Sequence, residues 1–169
     1  MIISFRRLMD REEDYQQLYK WNQDKNIYEW FEQRILSLEE IKEKYKKKQK
    51  EGKQELFFIQ YNHQEIGFVQ IYPFEEYELI NIKDQLYQFD IFIEEAYTSQ
   101  GIGTKIINEV SKKIFLEFQT NGIVLRPFKR NIRAIKCYQK CGYQIIKEYI
   151  GLDTLGNKEI ILILLKEKR

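Results

Sequence analysis

The chain has 169 residues, 43% of them hydrophobic and 32% charged, with 28 Lys and Arg against 26 Asp and Glu. That length and mix predict a single globular domain over residues 1–169 with a real core, and exclude a disordered chain. The near balance of charge gives no global reason to bind nucleic acid.

Ile2, Ile3, Phe5 and Leu8 predict a first strand near Ile2–Arg7, and this segment lacks the apolar stretch of a secretory signal. Asp10–Asp24 reads as a helix that turns Tyr15, Leu18, Tyr19 and Trp21 inward. Asn26–Leu36 reads as irregular and aromatic, and its Tyr28, Trp30 and Phe31 either line a ligand site or cover the core. Ser37-Leu38-Glu39-Glu40 is a capping box that opens a helix through about Glu51. The basic run Lys42–Lys50 is interrupted by Glu43 and reads as a solvated face, not a nucleic-acid surface.

Leu56–Tyr61 and Ile66–Tyr72 predict a hairpin whose turn holds His63, the one histidine of the chain. A histidine-dependent triad and a histidine-rich metal site are thereby excluded. A loop follows over Phe74–Gln85. Phe89–Ile93 reads as a strand, and Glu94–Gln100 as a polar loop ending at Gly101 and Gly103. Ile106, Ile107, Val110 and Ile114 then recur at helical spacing. Strands are expected at Ile123–Pro127, Tyr143–Ile150 and Lys158–Leu165, with a helix from Asn131 to Gly142 between the first two. The longest apolar run, Ile160–Leu165, is too short to cross a membrane. Cys137 and Cys141, four apart on one predicted helix, form no disulfide framework and read as small packing residues in a reducing, cytoplasmic setting.

Glycines between a strand and a helix let backbone N–H groups approach a ligand, and the helix N-terminus adds positive potential. A phosphate or diphosphate is the expected ligand. Gly101-Ile102-Gly103-Thr104-Lys105 lacks the spacing of a P-loop, and Ile106 stands where the dinucleotide fingerprint needs a third glycine.

Gly101 and Gly103 match the loop [RQ]-x-x-G-x-[GA], and Asn131, Ala134, Tyr138, Gly142 and Tyr143 match N-x-x-A-x-x-x-Y-x-x-x-G-[FY]. On this pair of motifs the chain resembles the GNAT acyl-CoA N-acyltransferase superfamily over nearly its whole length. The resemblance departs at Thr98, which stands in place of Arg or Gln; Lys105 is a substitute contact to phosphate. It implies an α/β fold, a mixed, twisted sheet with a splayed parallel strand pair and flanking helices. It further implies acetyl-CoA as co-substrate, no metal, and a small-molecule amine as acceptor, with no nucleic-acid or membrane partner. Backbone groups of Gln100, Gly101, Ile102, Gly103 and Thr104 would hold the diphosphate, and those of Ile91 and Ile93 the pantetheine arm. Asn131 would cap the later helix or bond that arm, and Tyr138 would protonate the departing sulfur. A phenol of ordinary pKa ~10 can do so at neutral pH; the alternative is a core tyrosine.

Asp90 is a carboxylate within an apolar strand, which is costly unless it serves a function or is paired. It would hold the acceptor ammonium and pass its proton through water. Glu94 and Glu95 are alternatives, their plain reading being a solvated loop. The motifs further resemble aminoglycoside 6′-N-acetyltransferases, with Asp90 as the acceptor carboxylate. Those enzymes commonly carry D-P where this chain has Arg126-Pro127. An inward Arg126 would oppose a polycation by on the order of several kcal/mol, unless it turns away or pairs with a carboxylate such as Glu94 or Glu95. Protein N-terminal or lysine acetylation, another small amine, and a non-catalytic acyl-CoA-binding domain are the competing readings.

Overall fold

A computed structural model describes residues 1–169. Seven strands form one mixed sheet in the order β1 (Ile3–Arg7), β2 (Glu55–Tyr61), β3 (Gln64–Pro73), β4 (Leu86–Ile93), β5 (Gly122–Leu125), β7 (Lys158–Glu167), β6 (Gln144–Leu152). Five helices accompany it: α1 (Glu12–Asn22), α2 (Lys25–Phe31), α3 (Leu38–Glu51), α4 (Ile102–Glu117) and α5 (Ile132–Lys140). The chain forms two compact units, Met1–Gln70 with Asp90–Thr98, and Ile71–Phe89 with Ser99–Arg169.

In the first unit β1 and β2 pair antiparallel from Ile3↔Tyr61 to Arg7↔Phe57. The helices close over a core that includes Tyr15, Trp21, Ile41, Tyr45, Phe58 and Phe68. The capping box at Ser37 is present as expected: Ser37 Oγ accepts from the Glu40 N–H at 3.1 Å, and Glu40 Oε2 accepts from the Ser37 N–H at 2.8 Å.

The expected irregular stretch after Asn26 is instead the helix α2. Asp24, expected at the end of α1, is its N-cap, with Oδ1 accepting from the Asn26 N–H at 2.9 Å. Buried Asn22 pins the segment beyond: Oδ1 accepts from the Leu36 N–H at 2.6 Å, and Nδ2 donates to the Arg34 carbonyl at 3.0 Å.

The basic run on α3 is also not a uniformly solvated face. Lys42 pairs with Glu12 at 2.8 Å, Lys44 pairs with Glu32, and Lys48 turns inward. Positions 41, 45 and 48 share one helical face, and Ile41 and Tyr45 on it are buried.

In the second unit α4 buries Ile106, Ile107, Val110 and Ile114. A further core group is Phe74, Ile80, Leu86, Val124, Ile163 and Leu165. The parallel register of β4 and β5 runs from Leu86↔Gly122 to Gln88↔Val124. Phe89 and Leu125 lie beyond that register. β7 pairs antiparallel with β5 and with β6. No helix is long and apolar enough to cross a membrane.

Candidate active site

The predicted residues fall in two groups, one in each unit. In the first, Asp90 is exposed, and Ile91, Phe92 and Ile93 are half-buried. The desolvation cost that singled out Asp90 in the sequence therefore does not apply. Its flanking apolar residues do not enclose it, because alternate side chains of a strand leave by opposite faces. Phe92 packs edge-on against Trp21 and Phe31, with ring centroids 5.3 and 4.8 Å away. A cavity of about 10 Å³ remains among Ile27, Tyr28, Phe31, Tyr45 and Phe92, with Glu32 at its wall. It has room for one water at most, and Phe31 packs on the core through Phe92.

Gly67 fixes how β3 passes this end of β4. A Cβ there would lie 2.3 Å from the Phe92 carbonyl oxygen and 3.0 Å from Ile93 Cα, so only glycine fits. Next to it, the Glu94 N–H donates to the Ile66 carbonyl at 2.7 Å. Glu94 and Glu95 are not a plain solvated loop. Trp21 Nε1 donates to Glu94 at 2.7 Å, and Asn26 Nδ2 to Glu95 at 2.5 Å. Thr98 spends its hydroxyl locally, on the Glu95 carbonyl at 2.8 Å.

Lys48 belongs to this group, and sequence reading passed over it. Its Nζ donates to Gln70 Oε1 at 2.5 Å. Burial, helped by Lys44, lowers its pKa to about 8 against the opposing pull of Asp90, Glu32 and Glu51. Burial likewise raises the phenol of Tyr45, aided by Glu32 and Asp90. The signal was available: Lys48 stands at i+7 from Ile41 and i+3 from Tyr45.

In the second unit Gln100 and Gly101 are exposed, and Gly101 takes the left-handed conformation at φ 73° as N-cap of α4. No side chain caps this helix, so its first-turn N–H groups take no bond from a capping side chain. Ile102 is buried and can offer only its backbone, whereas Lys105 is exposed on the first turn. At Gly103 the backbone is not left-handed, and a Cβ would meet only Cys137 Sγ at 3.8 Å. The chain's own packing thus does not demand glycine there.

On α5 the Asn131 side chain caps the helix, accepting from the Ala134 N–H at 3.4 Å. Tyr138 is half-buried, with its ring 6.2 Å from that of Tyr143. The last residue of the matched motif is structural: Tyr143 Oη lies 2.7 Å from Ser111 Oγ, both buried. Cys137 and Cys141 are free thiols against the start of α4. Cys137 Sγ is 3.7 Å from Thr104 Oγ1, and Cys141 Sγ donates to the Thr104 carbonyl at 3.4 Å.

Arg126 is half-buried, and its carboxylate partner is Glu76. Nη1 donates to Glu76 Oε1 at 2.8 Å, and Nη2 to Gln88 Oε1 at 2.9 Å. Burial opposes its charge, but Glu76 outweighs burial and raises its pKa further.

The sequence matches the family described as the acetyltransferase (GNAT) domain over residues 10–150. The chain belongs to this family. Among its relatives, the spermine/spermidine N(1)-acetyltransferase of Bacillus subtilis is 30% identical over 96 residues, covering 57% of this chain and 61% of the relative. The match thus spans less than two thirds of that relative's length. Aminoglycoside N(6′)-acetyltransferase type 1 of Klebsiella pneumoniae is 27% identical over 151 residues, covering 82% of this chain and 72% of the relative. In fold, this GNAT domain is similar to the crystal structure of aminoglycoside acetyltransferase AAC(6′)-Ib in complex with coenzyme A. The TM-score is 0.84 at 20% identity, covering 99% of this chain and 95% of that one.

Proposed function

We propose that residues 1–169 act as one acetyl-CoA-dependent N-acetyltransferase domain, which moves the acetyl group to a primary amine of a small molecule. The observation that carries this is Gly103. Its missing side chain is required neither by φ nor by neighbours in the chain, which is the expectation for a loop that a ligand approaches closely. Backbone N–H groups of Gln100–Thr104 hold the diphosphate at the uncapped start of α4. Ile91 and Ile93 offer backbone groups to the pantetheine arm. Lys105 supplies the phosphate contact that the basic residue missing at Thr98 would have made.

Asp90 binds the acceptor ammonium and relays its proton through water, leaving the nitrogen lone pair free to attack the thioester carbonyl. Tyr138 gives its phenolic proton to the sulfur as the carbon–sulfur bond breaks. The products are an N-acetyl amide and the free thiol, and Tyr138 recovers its proton from solvent.

Two acceptor classes follow. The 6′-amine of an aminoglycoside is favoured by Arg126, whose charge is already met by Glu76 and so opposes a polycation less than a bare guanidinium would. A polyamine is favoured by the spermine/spermidine relative. The test is a free-thiol assay with purified protein, acetyl-CoA and a panel of 6′-amino and 6′-hydroxy aminoglycosides, spermidine, and peptide amines. Thiol release with small primary amines and none with the 6′-hydroxy compounds is expected. Release with peptide amines alone would replace the small-molecule reading.

A further inference from the structure

β6 lies at the end of the sheet order and has β7 as its one neighbouring strand. On β7 the Leu162 N–H donates to the Pro127 carbonyl at 3.0 Å, and the Ile160 carbonyl accepts from the Lys129 N–H at 2.8 Å. The even-numbered residues of β7 thus turn their backbone groups away from β6. Glu159, Ile161 and Ile163 turn theirs toward Gly151, Tyr149 and Lys147. Along β6 it is therefore Glu148, Ile150 and Leu152 that present N–H and C=O groups to the open edge. The side chains agree with this. Ile150 is 72% exposed, Leu152 63%, and Ile160, which stands opposite Ile150 on the same face, 45%. Three aliphatic side chains so exposed beside an open strand edge mark a surface that a partner covers.

We propose that the partner is a second copy of this chain, whose β6 pairs antiparallel with this one about a two-fold axis at Ile150. That pairing sets Ile150 opposite the partner's Ile150 and Glu148 opposite the partner's Leu152. All three outward residues then meet outward residues and exchange backbone hydrogen bonds. Charge selects this register. It sets Lys147 opposite the partner's Asp153, and the two-fold axis repeats the pair. An axis at Glu148 instead sets two carboxylates against each other, and an axis at Tyr149 places Lys147 opposite the partner's Gly151. Lys147 Nζ donates to the Leu79 carbonyl at 2.8 Å, and an ammonium has donors for a second partner. Asp153 stands one residue past the end of β6, its carboxylate held by the N–H groups of Leu155 and Asn157 at 2.9 and 2.8 Å. Ile150, Leu152 and Ile160 then join with their counterparts in one apolar strip across both copies.

Sedimentation velocity on the purified chain, from about 1 to about 300 µM, tests this. The wild type is expected to dimerise with a dissociation constant of about 1–100 µM. Ile150→Lys sets two ammonium groups against each other at the axis and should weaken the dimer by about tenfold or more. Its circular dichroism should match the wild type, because this side chain lies outside the core. Lys147→Asp should weaken the dimer likewise. Under mild oxidation an Ile150→Cys protein should link two chains through the introduced thiols. A hydrogen-bonded antiparallel pair holds its Cα atoms about 5.5 Å apart, within the span of a disulfide. Leu155→Cys, exposed in the turn after β6, should not link, and mass spectrometry locates the bond. A wild type that stays monomeric across the whole range overturns the proposal. So does a dimer that Ile150→Lys leaves intact, since its contact would lie on another face.

Discussion

Arg126 is bound to Glu76, with Nη1 2.8 Å from Oε1, and the same guanidinium reaches Gln88 Oε1 at 2.9 Å. Gln88 is buried, at 6% exposure, so Arg126 supplies a donor that solvent cannot easily replace. Arg126→Ala is expected to cost about 1–3 kcal/mol of stability, the usual penalty for a buried acceptor left without its donor. Denaturant unfolding measures it. Glu76→Gln keeps the geometry but releases the positive charge, and acceptor KM for multiply charged amines should rise several-fold while acetyl-CoA affinity holds.

Two glycines separate a demand of the fold from a demand of the ligand. Gly67→Ala places a Cβ 2.3 Å from the Phe92 carbonyl and should destabilise the protein by about 1–3 kcal/mol or more. Gly103→Val meets only Cys137 Sγ near 3.8 Å, so the protein should fold while acetyl-CoA affinity drops by about a hundredfold or more. Thermal melts and calorimetry on both variants check the contrast. Full acetyl-CoA binding by a folded Gly103→Val protein would remove the diphosphate from this loop.

Much of this was legible because local rules and packing agree. The capping box at Ser37, the apolar run Leu56–Ile59 and the helical spacing from Ile106 to Ile114 each mark an element without tertiary information. The helix α2 escaped because it is seven residues long and rich in aromatic residues, whose helix propensity is weak. What makes it a helix is a cap at Asp24 and the grip of Asn22 on the segment beyond, and the latter is a tertiary feature. Asp90 was noticed for burial it does not have, since a one-dimensional reading cannot tell which strand face is covered. Lys48 was hidden in a run of similar lysines, although its spacing from Ile41 and Tyr45 already placed it on the inner face. The partner of Arg126 was out of reach: Glu76 sits 50 positions away in a loop whose path no periodicity describes.

Tyr138→Phe removes one hydroxyl and little volume. Turnover should fall by about a hundredfold, the scale of a lost general acid, with acetyl-CoA affinity nearly unchanged. Steady-state rates beside calorimetry give both quantities. Unaltered turnover would return Tyr138 to a packing role beside Tyr143.

Lys48 also predicts a pH dependence of stability. Its folded pKa, about 8, lies below the 10.5 of an unperturbed lysine. Between these values the unfolded chain binds the extra proton, so stability should rise with pH across that window, by at most about 1.4 kcal/mol per pH unit from this group. Below pH 8 both states are protonated, and the burial penalty is present in full. Lys48→Met should gain stability relative to the wild type below pH 8 and lose that advantage toward pH 10.5. Urea unfolding of both proteins across this range checks the sign.

Transfer of an acetyl group from sulfur to nitrogen is the central claim, and following the group itself tests it most directly. Purified protein is given acetyl-CoA labelled with carbon-13 at the carbonyl, together with a 6′-amino aminoglycoside or spermidine, and NMR follows the label. The label is predicted to move from the thioester to an amide carbonyl on a primary amine, at a rate that Asp90→Asn and Tyr138→Phe each reduce. A label that stays on the thioester with every amine, in a protein that binds acetyl-CoA, would contradict the account and leave a binding domain without transferase activity.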